Sequence, residues 1–228
     1  MAAGSITQGE FSRIVETFVD ISNKIDDKWH MESGINNTVF MHKKCNVISP
    51  SDASGSSEIS NPPKNVPLER LTKCSASDPH EQNMETLVEM EIADEQSDSS
   101  CMPLHRENET YTYEYHVLYS ESYQVPVLYF NVFKKDGKLL SLEDVWKLCP
   151  VSYQKYMNEN KWATLSQQEH PLLGRPYFQL HPCHTSDLMS QIMTNTKTYN
   201  IKNYLATWLS TVGPLVGLSI SPAYITDV

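Results

Sequence analysis

The chain has 228 residues, enough for one large domain or two small ones, and 18 Lys plus Arg against 28 Asp plus Glu leave it at −10. The excess is local: residues 1–44 hold 5 basic and 6 acidic side chains, residues 45–109 hold 4 and 13, and residues 110–228 hold 9 of each. No basic stripe is available to neutralise phosphates and no apolar run approaches 18 residues, which argues against nucleic-acid binding and against a membrane-spanning helix. Five cysteines without a Cys-x-x-Cys pair suit a reducing compartment. The first residues have neither the basic nor the apolar region of a secretory signal, so a cytoplasmic location is expected.

In chain order, Thr7 and Glu10 form a capping box that opens a helix. Phe11, Ile14, Val15, Phe18, Ser22, Ile25 and Trp29 recur on one face at helical spacing, with Arg13, Glu16, Asp20, Lys24 and Asp27 opposite. This is a helix packed on a sheet. After Ser33-Gly34, Val39, Met41, Cys45 and Val47 alternate and predict a strand over Thr38–Ile48. From Ser49 to Asn108 serine, proline and acidic residues dominate, and such a segment buries too little apolar surface to offset its ordering entropy. METLVEMEI, residues 84–92, is the exception and reads as an edge strand or short helix. The expected organisation is one domain built from 1–48 and 109–228, with 49–108 as a flexible insertion.

Pattern returns at Tyr111, where Tyr113, Tyr115, Val117 and Tyr119 alternate with Glu114, His116, Leu118 and Ser120 as a half-buried strand. Pro126–Phe133 is apolar on both faces and reads as an interior strand. Asp136-Gly137 makes a turn, Ser141 caps a short helix ended by Cys149-Pro150, and Pro176–Leu180 is a last short strand. Residues 151–170 give no clear pattern. Ile201, Tyr204, Leu205, Trp208, Leu209 and Val212 line a closing helix that Gly213-Pro214 should stop. Helices beside an antiparallel sheet make this an α+β domain.

The chemistry concentrates in QQEHPLLGRPYFQLHPCHT, Gln167 to Thr185. Pro182 stiffens the backbone entering Cys183. Thr185, followed by Leu188, Met189 and Ile192, reads as the N-cap of a helix, leaving Cys183 just outside a helix N-terminus that favours a thiolate. A structural, core cysteine is the plain alternative. Zinc is the other: His181, Cys183 and His184 resemble ligands, but the paired clusters of zinc sites are missing, so no metal is expected.

Four blocks together resemble the autophagy E2-like conjugating enzymes: QQEHP (Gln167 to Pro171), HPC (His181 to Cys183), YEYHVLYSESYQVPVLYF (Tyr113 to Phe130) and YLATWLSTVGPLVGL (Tyr204 to Leu218). The resemblance covers about 110–220 and, more loosely, the first helix. It implies an E2-like fold in which Cys183 accepts a ubiquitin-like modifier from an E1-like activating enzyme as a thioester and passes it to a lysine of an acceptor protein. For this branch the implied modifier is autophagy-related protein twelve and the acceptor autophagy-related protein five. ATP is spent by the E1-like partner, so the chain itself needs no cofactor and no phosphate loop.

The motif departs from the His-Pro-Asn of ubiquitin E2 enzymes, whose asparagine serves the oxyanion and whose cysteine lies several residues later. Here the cysteine itself follows His-Pro. The oxyanion-stabilising or lysine-binding group must come from elsewhere, with Tyr119, Tyr129 and Asn131 on the adjacent strands as candidates beside backbone N–H groups. His181 and Pro182 are expected to position the backbone. Two rival functions stand beside this one: a cysteine protease pairing Cys183 with His170 as base, and a non-catalytic module that keeps an E2-like shape. Trp162 and Leu165 match a loose W-x-x-L docking pattern and also suit a core.

Overall fold

A computed structural model describes residues 4–34, 38–48, 109–150, 153, 164–195 and 200–226. The expectations for 49–108, including the strand or helix at 84–92, lie outside the described residues. The rest is one antiparallel sheet with helices gathered on one face.

Helix α1, Gln8–Ile25, begins at the predicted capping box: Thr7 Oγ1 accepts from the Glu10 amide at 3.1 Å, and Glu10 Oε2 accepts from the Thr7 amide at 2.7 Å. Its buried face is Phe11, Ile14, Val15, Phe18, Ile21 and Ser22. Ser22 tolerates burial because its Oγ accepts from the Trp29 amide at 2.9 Å. That bond also corrects the sequence reading. The helix stops at Ile25, Asp26 turns left-handed at φ 59°, and Trp29 reaches the core from outside the helix.

Six strands follow in the order β1-β2-β3-β4-β6-β5: β1 His30–Ser33, β2 Val39–Ile48, β3 Thr110–Ser120, β4 Val125–Phe133, β5 Leu165–Glu169 and β6 Pro176–Leu180. All pairings are antiparallel. Four strands lie where the sequence predicts them. β1 and β5, the two edges, do not announce themselves, because HMES and LSQQE carry polar side chains and β1 is exposed along its length. Ile48 of β2 pairs directly with Thr110 of β3.

Period-two alternation sorts side chains between the faces. The helix-covered face holds Met41, Tyr113, Tyr115, Val117, Leu128, Phe130, Val132 and Phe178 in one cluster with α1. Helix α2, Leu142–Leu148, is capped by Ser141, and helices α3, Thr185–Asn195, and α4, Tyr204–Val212, complete that layer. α4 ends at Val212, where Gly213-Pro214 should stop it, but Gly213 does not turn left-handed. It stays right-handed at φ −57°, the chain tightens into a 3-10 turn over Gly213–Val216, and Gly217 at φ 75° ends it. Tyr115 Oη donates to the Val216 carbonyl at 2.8 Å, pinning this turn to the sheet. A last turn of helix, α5 (Ala223–Thr226), stacks Tyr224 on Phe18 with ring centroids 4.1 Å apart.

The second face corrects the half-buried reading of β3. Phe40, Leu118, Val127, Tyr129 and Tyr177 form a smaller cluster there, and His116 is buried among them. Its cover is the β5–β6 turn, which lays Leu172 on the cluster.

Candidate active site

Strand β6 carries the chain toward Cys183. It pairs Gln179 with Tyr129 and Phe178 with Phe130 of β4, so its exit point is fixed from the sheet interior. The His181 amide then donates to the Thr164 carbonyl at 3.0 Å, and Pro182 is buried. Residues Pro182–His184 form a 3-10 turn that runs straight into α3. The N-cap is therefore His181, not Thr185: Thr185 is already right-handed helical, at φ −63° and ψ −43°. Cys183 sits inside the first turn, half-buried, and its amide donates to His181 Nδ1 at 3.3 Å. A ring nitrogen that accepts a backbone N–H holds the peptide entering the cysteine. The His-Pro pair thus fixes the backbone entering the cysteine twice, through the locked φ of Pro182 and the capped Cys183 amide.

The N-terminal segment braces α3 from the far side. Tyr204 Oη donates to the Gly4 carbonyl at 2.6 Å, the Ile6 amide donates to the Gln124 carbonyl at 2.9 Å, and Tyr119 Oη donates to the Ile6 carbonyl at 2.8 Å. Gly4, at φ 91°, lies so near α3 that a Cβ would overlap the Ser186 carbonyl and the Ser190 amide.

A cavity of about 410 Å³ opens beside this turn, lined by Leu118, Tyr119, Ser120, Glu121, Tyr123, Val127, Tyr129, Pro171, Gln179, His181 and Pro182. It brings together four of the residues singled out from sequence: Tyr119, Tyr129, His181 and Pro182. Asn131 is not among its lining. Its Nδ2 donates to the Pro176 carbonyl at 3.2 Å, which ties β4 to the start of β6. Sequence reasoning missed Tyr123, whose ring meets His181 edge-on at 5.9 Å, and it missed Gln179 and Pro171. The proximity of Tyr123 to His181 depends on non-local pairing.

The two tyrosines differ in what they can do. The Tyr119 hydroxyl gives its proton to Ile6, whereas Tyr129 Oη accepts from Gln179 Nε2 at 2.9 Å and keeps a proton to donate. Burial raises both phenols above their usual range, so both remain protonated at neutral pH. Glu121 supplies a carboxylate, and the lining contains no lysine or arginine. The cavity therefore suits a positively charged group.

The other described cysteines are poor thiolates. Burial raises the Cys45 thiol and pushes Cys149 up to about 11. His170 is fully buried, and both ring nitrogens are engaged: Nδ1 accepts from the Leu172 and Leu173 amides at 3.2 Å each, and Nε2 lies 3.1 Å from His116 Nδ1. It is not available as a general base. Among the described residues no group of three or more His, Cys, Asp or Glu could hold a metal ion, and no helix is long and apolar enough to cross a membrane. Leu165, half of the W-x-x-L pattern, is buried in β5; Trp162 lies outside the described residues.

Comparison with known proteins follows the same line. The family model "Autophagocytosis associated protein, active-site domain" matches residues 10–223. The ubiquitin-like-conjugating enzyme ATG10 of Arabidopsis thaliana is 31% identical over 227 residues, 95% of this chain and 93% of that protein. The human ATG10 is 48% identical over 118 residues, 51% of this chain, and the match spans 54% of the human protein. A crystal structure titled autophagic E2, Atg10, aligns at 21% identity and a TM-score of 0.32 over 47% of this chain and 66% of that one. A match along nearly the whole chain, running through the HPC turn, leads to one conclusion: this chain belongs to the autophagocytosis-associated, ATG10-like family of ubiquitin-like-conjugating enzymes.

Proposed function

We propose that the chain is an E2-like conjugating enzyme of autophagy, working in the cytoplasm, with Cys183 as its thioester nucleophile. The Cys183 thiolate attacks the carbonyl of the modifier's C-terminal glycine on the E1-like enzyme, and the E1 thiolate leaves. An acceptor lysine amine then attacks the new thioester carbonyl, gives up a proton, and the Cys183 thiolate leaves in turn. One hard acylation becomes two easier steps, and the ATP is spent before the modifier arrives. The modifier would be autophagy-related protein twelve and the acceptor autophagy-related protein five.

The observation that carries this reading is the join between a rigid His181-Pro182-Cys183 turn and a hydroxyl-lined cavity with a carboxylate at Glu121. Lysine is a long apolar stem ending in a cation, which matches such a lining. Tyr129, with a proton to donate, is the side chain suited to the oxyanion; Tyr119 suits a lysine ammonium, offering lone pairs. Asn131 would act on the strands rather than on the reacting atoms. A cysteine protease would need a base beside Cys183, and the committed nitrogens of His170 argue against that.

Incubation with the E1-like enzyme, the modifier and ATP, run on gels with and without reductant, tests the assignment. The native chain should give a reductant-sensitive adduct. Cys183→Ser should charge slowly and give a reductant-resistant one, because its hydroxyl forms an ester. A thioester that persists in Cys183→Ala would move the nucleophile elsewhere and end this reading.

A further inference from the structure

The buried histidines on the second face have a defined direction. His170 Nδ1 accepts from two backbone amides, so in the neutral ring the proton is on Nε2. That proton must go to His116 Nδ1, 3.1 Å away. His116 is then the same tautomer, and its Nε2–H points to Glu114 Oε1 at 3.3 Å. Each ring is a donor on one side and an acceptor on the other, and the chain ends on a carboxylate. Such a chain holds together only while both imidazoles are neutral.

Its position ties it to the cavity twice. His170 closes the β5–β6 turn on itself: its carbonyl accepts from the Leu173 and Gly174 amides, and its amide donates to the Arg175 carbonyl. The next residue in that turn is Pro171, a wall of the cavity. The His170 ring also packs against the ring of Tyr129, 5.3 Å between centroids, and Tyr129 is the register partner of His116. One imidazole thus holds two lining residues from opposite sides.

We propose that His170, anchored through His116 to Glu114, is a positioning residue that shapes the acceptor side of the cavity lined by His181 and Pro182, whose lining does not include Cys183 itself. The proposal rests on the conjugating reading and deepens it. Charging from the E1-like enzyme needs only the Cys183 thiol to meet a thioester. Transfer to lysine needs the amine steered along the cavity, so the two half-reactions should respond differently.

The test follows single turnovers of the full chain. First the E1-like enzyme, the modifier and ATP load Cys183. The charged protein is then mixed with autophagy-related protein five after E1 activity is quenched. His170→Ala should charge at the native rate and transfer roughly tenfold more slowly, inside the ~100-fold that a 1 Å misplacement can cost. His170→Asn places an amide oxygen near the Nδ1 position and recaps the Leu172 and Leu173 amides but loses the link to His116, so its transfer should fall between the alanine and native rates. Native transfer by His170→Ala overturns the proposal. So does an equal loss in both half-reactions, or an asparagine variant as slow as alanine, since either result means general destabilisation. ¹⁵N chemical shifts of the imidazoles supply a readout independent of activity: both His116 and His170 should be Nε2–H tautomers, and an Nδ1–H signal from His170 overturns the chain itself. If the native protein never charges, the conjugating assignment fails while the tautomer result still judges the network.

Discussion

The two faces of the sheet are held by different physics. Toward α1 the layer is aromatic and aliphatic, and Tyr115 and Tyr204 each give their proton to a single carbonyl, of Val216 and Gly4. On the other face a shallow cover, the β5–β6 turn, is held by a directional polar chain among aromatic rings. Burial by apolar packing is insensitive to direction, register by register; a hydrogen-bonded imidazole chain is not. The helix-covered face is therefore the one that sets overall stability, and the second face is the one that sets where the cavity walls stand.

Breaking the helix-covered face should have the largest effect. Phe18 stacks on Tyr224 and meets Trp29 edge-on, so Phe18→Ala should cost about 3–5 kcal/mol by denaturant unfolding. An unchanged melting temperature with weaker E1 binding would make α1 an interaction surface instead. Acid should act mainly on the other face. Burial depresses His170 to about 4, below its ordinary 6.5, so folding disfavours its proton. The stability this contributes is complete above pH 6.5 and is lost as pH falls toward 4, for a total of up to about 3 kcal/mol. The neighbouring groups are Glu114, held below its usual range by its bond to His116, and His42, lowered by burial; both lose stability in the same direction. Urea unfolding at a series of pH values should show this slope in the native chain and a shallower one in His170→Asn. Of intermediate size is Tyr115→Phe, which strips the Val216 carbonyl of its partner and should cost about 1–3 kcal/mol without altering the acid slope. Thr7→Ala, which opens the capping box, should cost about 1 kcal/mol and leave transfer by Cys183 untouched.

The same contrast governs what could be read in advance. Alternation along Tyr113–Tyr119 and the apolar run Pro126–Phe133 announced the helix-covered face, because apolar burial leaves a period in sequence. Glu114 and His116 read as solvent-facing, since nothing local reveals that residues 170–175 fold over them. Trp29 was assigned to the helix by its spacing; the left-handed Asp26 that sends it elsewhere has no glycine to mark it. HPC singled out Cys183, yet the cavity beside it gathers residues from β3, β4, β6 and three turns, a juxtaposition that only the register creates. Thr185 illustrates a subtler miss: its hydroxyl resembles a cap, but the ring of His181 had already taken that role four residues earlier.

The pairing of Ile48 with Thr110 has a kinetic consequence. β3–β4 and β5–β6 are local hairpins that can zip within microseconds, whereas β2 can join β3 only after the long segment between them has closed. Closure entropy of a flexible segment grows only logarithmically with length, so on the expectation of a flexible insertion, trimming it should change equilibrium stability little. It does set a search. During synthesis α1, β1 and β2 leave the ribosome before β3 and must wait, with the edge of β2 unpaired, until Tyr111–Tyr119 emerges. Replacing 51–100 by a short Gly/Ser linker should accordingly speed refolding in stopped-flow while leaving the midpoint in urea nearly where it was. The part of the chain with least apolar content would then be the one that decides how long residues 1–48 stay exposed to aggregation.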